Sequence, residues 1–514
     1  MSAHQSVVGA KPAMPGFVAL VMIVLAACAV TPSATVTPSP AASPSRSITP
    51  PTPGDSSSAS SLPSPTPTPS PAAVPPRWVA AGDVTRDLPG ANLVALPGGG
   101  ALLIGIEIEE RGEQISHRMA TERWEPATAE WLRTQPLERM RSSFASVALR
   151  DGGVLVAGGF NERDASYSSS YVFDPATEAW AKTGSLTVAR THPGTALLSD
   201  GRVLVVGGYY YAPEPEPTMP PEARLAGWGA AAPDPMSEGR VPPYDVDIPP
   251  IGRALATAEL FDPSTGTWTR TGSMRYARTG PAVTTLSDGR VLVVGSTDDN
   301  VHIDDRAYRT AEIFDPTTGR FTAAATLPAV EAAAILERGV DLPDFPGLPG
   351  SVGSLVALPD GGAALIGHQE WWKHEAELVR SFRLGPDGRA WHDIGEPYAW
   401  TGGELPSRDT GTVSRRDAVV ARLQDGSVLV AGGSIGGETG WGEGDRPPVS
   451  AETYDPREDR WMPLPDLPGG RFSPSAVGLA DGSVLVVGGD VLSGSGEEVT
   501  VEWGRAAYRF VPRH

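Results

Sequence analysis

The chain has 514 residues, a net charge of −20 and a single cysteine, Cys28. That acidity argues against a nucleic-acid partner or an anionic lipid surface, and one thiol excludes a framework of internal disulfides. Its 59 glycines and 52 prolines suit short strands joined by many turns, in a fold closed by non-covalent contacts.

Lys11 precedes an apolar run from Phe17 to Ala27 that ends in Leu25-Ala26-Ala27-Cys28. The run is short for a membrane span and has the length of a signal-peptide core. Leu-Ala-Ala-Cys resembles the cleavage box of bacterial lipoproteins. The resemblance implies that residues 1–27 are removed and that Cys28 carries acyl chains holding the protein on a membrane. Residues 28–76 are almost entirely Pro, Ser, Thr and Ala, with Arg46 and Asp55 as the only charges. Such a stretch cannot offset the entropy of folding and reads as an extended, semi-rigid stalk.

From residue 77 to 514 the chain repeats one unit seven times. An apolar run, a tight turn and a second apolar run ending in glycine form its first half. The turns begin at Asp151, Asp200, Asp288, Asp360, Asp425 and Asp481, with Gly98 in the first copy. Asp-Gly between apolar runs predicts a hairpin, and segments such as Val291-Leu292-Val293-Val294 predict strands buried on both faces. The second half turns on Asp-Pro at Asp174, Asp262, Asp315 and Asp455, with Trp180, Trp268, Phe321 and Trp461 six residues later. Weaker copies pair Glu125 with Trp131 and Gly385 with Trp391. The last unit ends without its fourth strand, and Arg77-Trp78-Val79-Ala80 supplies one from the other end of the chain. The expected fold is therefore all-β, a seven-bladed β-propeller of four-stranded blades, with its ring closed by the N-terminal strand joining the last blade.

The Asp-Gly turns, the glycine pairs (Gly158-Gly159, Gly207-Gly208, Gly432-Gly433, Gly488-Gly489) and the spaced tryptophans resemble the kelch repeats of bacterial proteins and of the galactose oxidase propeller. That resemblance implies a fold, because propellers host many unrelated activities. Galactose oxidase itself implies copper radical chemistry, which needs a cysteine cross-linked to a tyrosine and a Tyr-His pair. The only cysteine here is in the lipid box and no Tyr-His dipeptide occurs, which argues against that activity.

Charges recur with the units. Arg141, Arg190, Arg278, Arg415 and Arg471 each lie ten residues before an Asp-Gly turn. Glu122, Glu259, Glu312 and Glu452 each lie three residues before a Pro-containing turn. They either ring the channel with positive charge or pair with one another inside the blades, and their repetition favours structural pairing. The fifth unit has Gly350 and Phe382 at these places.

All long insertions fall on the face opposite the Asp-Gly and Asp-Pro turns, with shorter loops expected at 106–120 and 296–309. Binding is expected on that elaborated face. Its candidate ligand-binding residues are Tyr209, Tyr210, Trp228, His368, Trp371, Trp372, His374, Trp400 and Trp441, as stacking platforms or anchors, although loop aromatics also build small local cores. No metal site, cofactor, serine triad or phosphate loop is expected. The sequence thus favours a monomeric, lipid-anchored protein of a bacterial envelope, facing out of the cytoplasm and presenting this face to a glycan or a protein without catalysis. The alternative is a carbohydrate-active or other enzyme using the same face.

Overall fold

A tight turn on Asp-Gly needs a residue in the left-handed region, and each such turn has one. Gly152, Gly201, Gly289, Gly361, Gly426 and Gly482 take φ between 82 and 95°, and Gly98 takes 82°. The computed structural model describes residues 74–111, 114–161, 165–211, 252–296, 306–328, 348–349, 353–372, 376–395, 417–433, 449–495 and 498–513.

The turns fold the chain into seven antiparallel four-stranded blades, each running from an inner to an outer strand. Blade 2 is typical, with strands Ala145–Ala148, Val154–Ala157, Ser169–Asp174 and Ala179–Ser185 in that spatial order. The second strands are buried throughout, because the neighbouring blade covers each face. Each apolar cluster therefore spans two adjacent blades. Leu155 and Ala157 of blade 2, for instance, pack with Val203, Val205 and Phe261 of blade 3.

The ring closes as the repeat count requires. Arg77–Asp83 pairs with Ala506–Val511, placing Trp78 opposite Phe510 with ring centroids 5.2 Å apart. Leu93, Leu103 and Trp124 of blade 1 share a core with Val477, Leu485 and Val487 of blade 7. Inner strands touch their neighbours all the way round, the last against the first.

The repeated tryptophans fasten blade to blade. Trp268 Nε1 donates to Ser170 Oγ at 2.9 Å, Trp391 Nε1 to the Ala325 carbonyl at 2.9 Å, and Trp461 Nε1 to the Ile394 carbonyl at 2.8 Å. Trp131 bonds to Ala81 at 3.1 Å and Trp78 to Pro465 at 2.8 Å, which ties the closing strand on both sides. Trp180 differs, since its buried Nε1 has no acceptor among the described residues.

The arginines clamp the blades under the insertion-bearing face. Arg141, Arg190, Arg278 and Arg471 each enter before an inner strand and reach the ends of the next two strands. Arg190 Nη1 donates to the Gly207 and Thr257 carbonyls at 2.8 and 3.0 Å, and Nη2 meets Glu259 at 2.8 Å with both side chains fully buried. Arg278 repeats this with Gly295, Thr310 and Glu312. The strand register identifies the carboxylate's counterpart in the other blades: Glu259 faces Val205, Glu312 faces Val293, Tyr171 faces Val156 and Tyr508 faces Val486. Where tyrosine replaces glutamate, the guanidinium lies over the ring instead, Arg141 at 4.9 Å from Tyr171 and Arg471 at 5.0 Å from Tyr508. Glu122 in blade 1 has Leu88 at the arginine's place and accepts from the Thr85 N–H and Oγ1 at 2.8 and 2.7 Å. Glu452 faces Val430 in blade 6, whose Arg415 lies outside the described residues. In blade 5, Phe382 holds this register and packs under the Arg380 guanidinium at 5.2 Å.

Three connections differ from the sequence expectation. Residues 106–120 are not a loop but the far half of a long hairpin, Ala101–Arg111 with Gln114–Glu125. Alternation of side chains continues past Gly105, so strand pairing simply runs on. Arg306–Arg309 forms one helical turn within 296–309. Blade 7 carries an additional hairpin, Asp490–Ser495 with Glu498–Trp503, between its second and third strands.

Candidate functional site on the insertion-bearing face

In blades 2, 3 and 7 the residue following the glycine pair forms a rim on this face. Gly158 and Gly159 take φ of 72 and 90°, which turns the chain out of the blade and back across the residue that follows the arginine. Phe160 bridges Ser142, Tyr209 bridges Thr191 and Asp490 bridges Phe472, so blades 2, 3 and 7 place these side chains at equivalent positions.

Between blades 2 and 3 the rim is aromatic. The Tyr209 and Tyr211 centroids are 4.4 Å apart, Tyr211 and Phe160 are 6.3 Å apart, and Phe160 stacks on His192 at 6.0 Å and 28°. Tyr209 is buried, whereas Tyr211 and Phe160 are half-buried and leave ring surface open. Ser166 locks the arrangement, its Oγ accepting from the Tyr211 N–H at 2.9 Å. His192 is 8% exposed and its Nδ1 lies 3.2 Å from Thr191 Oγ1. Burial pushes its pKa down to about 4, so the imidazole is neutral at ordinary pH.

Blade 7 puts a carboxylate at the same rim position. Asp490 is half-buried, and burial raises its pKa above the usual aspartate value. Its backbone is fixed by reciprocal 2.9 Å bonds with Phe472, and no cation or donor among the described residues pairs with its carboxylate. Burial thus favours the protonated form of this carboxyl more than in an exposed aspartate.

The expected ligand residues are distributed unevenly. Tyr209 and Tyr210 lie on a short ladder with Ala254 and Arg253, and Tyr209 serves as the inner support of the aromatic rim. His368, Trp371 and Trp372 lie on the blade 5 strand Ala363–Trp372, opposite Arg380, Glu377 and Ala376, and so belong to a strand that outgrows its blade. Trp228, His374, Trp400 and Trp441 lie outside the described residues, as does Cys28. Tyr211 belongs to the aromatic run expected to stack on a ligand, whereas Phe160, His192 and Asp490 were not singled out from sequence. The signal that could have found Phe160 and Asp490 is their place immediately after a glycine pair.

No protein-family model matches the chain, and no curated protein matches it. Among solved structures it is similar to a fungal alcohol oxidase of the AA5 family in complex with copper, with TM-score 0.53 and 15% identity over 85% of this chain and 76% of that one. At this identity the likeness establishes the fold. It also corrects the expectation of a non-enzymatic binder and the argument against oxidase chemistry, because the neighbour on this scaffold is an enzyme and an oxidase; the enzymatic alternative is the better supported reading. The copper of that neighbour finds no matching donor set in the described part of this chain. Among those residues no three His, Cys, Asp or Glu side chains gather to hold a metal ion, while His117 and His392 are exposed on blades 1 and 5. Among the described residues, then, no His, Cys, Asp or Glu set is assigned to copper.

Proposed function

We propose that this protein is an enzyme acting on a hydroxyl-bearing substrate, a carbohydrate or another alcohol, at the insertion-bearing face of the propeller. The observation that carries the reading is Asp490, a half-buried carboxylate with a raised pKa and no ionic partner among the described residues. Burial of an unpaired carboxyl costs stability, and such groups concentrate where proton transfer is needed. Removal of a hydroxyl proton and protonation of a leaving oxygen both require a group of this kind. The open ring surfaces of Phe160 and Tyr211 suit the apolar face of a sugar ring. Likeness to an alcohol oxidase supports the substrate class.

The test is turnover by the full chain, with and without added copper, on neutral oligosaccharides and primary alcohols. Peroxide release reads oxidation and new reducing ends read glycoside cleavage. Turnover in either assay that falls at least about a hundredfold in Asp490→Asn, the scale of a lost general acid or base, supports the proposal. Turnover in neither assay, or full activity in Asp490→Asn, overturns it.

The same reading takes the blades as kelch-type repeats and the chain as a lipoprotein of a bacterial envelope, with residues 1–27 removed and Cys28 lipidated. In a bacterial host, Cys28→Ala should move the protein to the soluble fraction. Continued membrane retention would sink the anchor.

A further inference from the structure

Asp490 stands in the middle of a row of three chain segments. On one side its N–H and carbonyl are both spent on Phe472, at 2.9 Å each. On the other side it is paired with Trp503, as the first rung of the ladder between Asp490–Ser495 and Glu498–Trp503. A strand residue points its N–H and C=O the same way, so the rung with Trp503 is a non-hydrogen-bonded pair, the kind in which facing side chains come closest. Directly opposite residues of antiparallel strands project from the same face. The Asp490 carboxyl therefore lies between a phenyl and an indole. Phe472 is buried and Trp503 half-buried, packed on the core that blades 7 and 1 share. The indole crosses Gly488, where a Cβ would lie 2.3 Å from Trp503 Cζ2, so the bare backbone there makes room for it.

The rim rows of blades 2 and 3 are built the other way round. Ser142 and Ser166 flank Phe160, and Thr191 and Ala254 flank Tyr209. There an aromatic ring sits between small residues, whereas in blade 7 a carboxyl sits between aromatic ones. Aromatic flanks take water from the ionised carboxylate and so disfavour it, while small flanks would let water in. We propose that Phe472 and Trp503 are positioning residues of the candidate site: as two aromatic walls they hold the Asp490 carboxyl at the rim, shielded from water on both flanks. The assignment rests on the enzymatic reading, in which Asp490 handles a proton, and goes beyond it by naming the residues that fit the carboxyl to that task.

Charges on the surrounding elements offer no other cause. Arg505 is held by Asp87 at 2.5 and 2.9 Å, and Arg86 by Glu107 at 2.8 Å. Arg471 lies against the Tyr508 ring and donates to the Gly488 and Ala506 carbonyls at 3.0 and 2.7 Å. Glu502 is paired with Val491, on the opposite face of the hairpin. Burial alone accounts for the rise in the Asp490 pKa.

The experiment uses full-length Trp503→Phe and Trp503→Ala, each with and without Asp490→Asn. Phenylalanine keeps an aromatic wall and alanine opens it. Urea unfolding from about pH 3 to about pH 7 reads the walls without any turnover. A carboxyl whose folded pKa stands above the ordinary 3.8 weakens the fold as pH rises through that value, so Asp490→Asn should gain on the unsubstituted chain over this range. The gain should persist in Trp503→Phe and fall at least about twofold in Trp503→Ala. An equal gain in Trp503→Ala, or no gain in the unsubstituted chain, overturns the walls. Should Trp503→Ala not fold, Trp503→Gln carries the same expectation, because a polar side chain replaces the wall. With a substrate that is turned over, the carboxyl limb of the pH–rate profile should move to lower pH by about half a unit or more in Trp503→Ala and stay in place in Trp503→Phe. A limb that does not move in Trp503→Ala overturns the positioning role even where the unfolding gain has shrunk. If no substrate is turned over, the enzymatic reading fails, and the unfolding comparison decides the walls by itself.

Discussion

The Arg190–Glu259 pair offers the sharpest test of how the blades are held. Both side chains are fully buried, 2.8 Å apart, and Glu259 also accepts from the backbone of Thr187 and Val188 at 2.6 and 3.1 Å. Burial lowers the arginine's pKa and the glutamate opposes that shift, so each charge depends on the other. Glu259→Leu leaves a buried guanidinium without its counter-charge and should cost about 3–5 kcal/mol, a large share of a typical domain's stability. Arg190→Met strands the carboxylate and the Gly207 and Thr257 carbonyls, and should cost a similar amount. The double variant removes both charges and should cost well below the sum, with a coupling of about 2 kcal/mol or more. Glu259→Tyr copies the arrangement of Arg141 over Tyr171 and should cost less than Glu259→Leu. Urea unfolding at neutral pH, followed by tryptophan fluorescence, measures all four. Single costs below about 1 kcal/mol, or additivity within about 0.5 kcal/mol, would refute the reasoning.

Three further outcomes are expected. His192 has a folded pKa of about 4 against 6.5, so its contribution is complete above pH 6.5 and is lost as pH falls through 4; that loss, about 3 kcal/mol, should vanish from the pH–stability curve of His192→Gln. Trp268→Phe removes a blade-to-blade bond and leaves the Ser170 hydroxyl with the Gly184 carbonyl alone, costing about 1 kcal/mol beyond packing, whereas Trp180→Phe removes a donor without a described acceptor and should cost less by urea midpoint. Deleting residues through Asp83 strips the closing strand from blade 7 and bares Ala506–Val511; light scattering should show association, and a monomer of unchanged stability would contradict ring closure.

Much of the scaffold was legible because it is local and repeated. Asp-Gly between apolar runs demands a hairpin wherever it occurs, and seven copies at constant spacing leave few folds that bury every second strand on both faces. Even closure could be read, from a last unit short of one strand and a tryptophan-bearing strand spare at the front. The extended hairpin at 101–125 was misjudged because the glycine at 105 marks an end in the other blades, which outweighed the alternation of Ile106-Glu107-Ile108-Glu109 beyond it.

The site was hidden for a different reason. Phe160 and His192 are 32 positions apart and belong to different blades, so only the packing of one blade on the next stacks them. Tyr171 and Tyr508 stand in for glutamate beneath their arginines, an equivalence that emerges from strand register and not from residue type. The left-handed turns at Ser143, His192, Gly280, Asp417 and Ser473 are harder still, since serine, histidine, aspartate and glycine share no chemistry that a pattern could catch. What they share is a left-handed backbone, where the described links are hydrogen bonds from one blade to the next. The sequence by itself determined the repeating hairpins, their number and the insertion-bearing face, because these follow from turn chemistry and alternation along the chain. Only the tertiary structure decided which side chains meet there, because those meetings cross between blades and depend on the ring being closed.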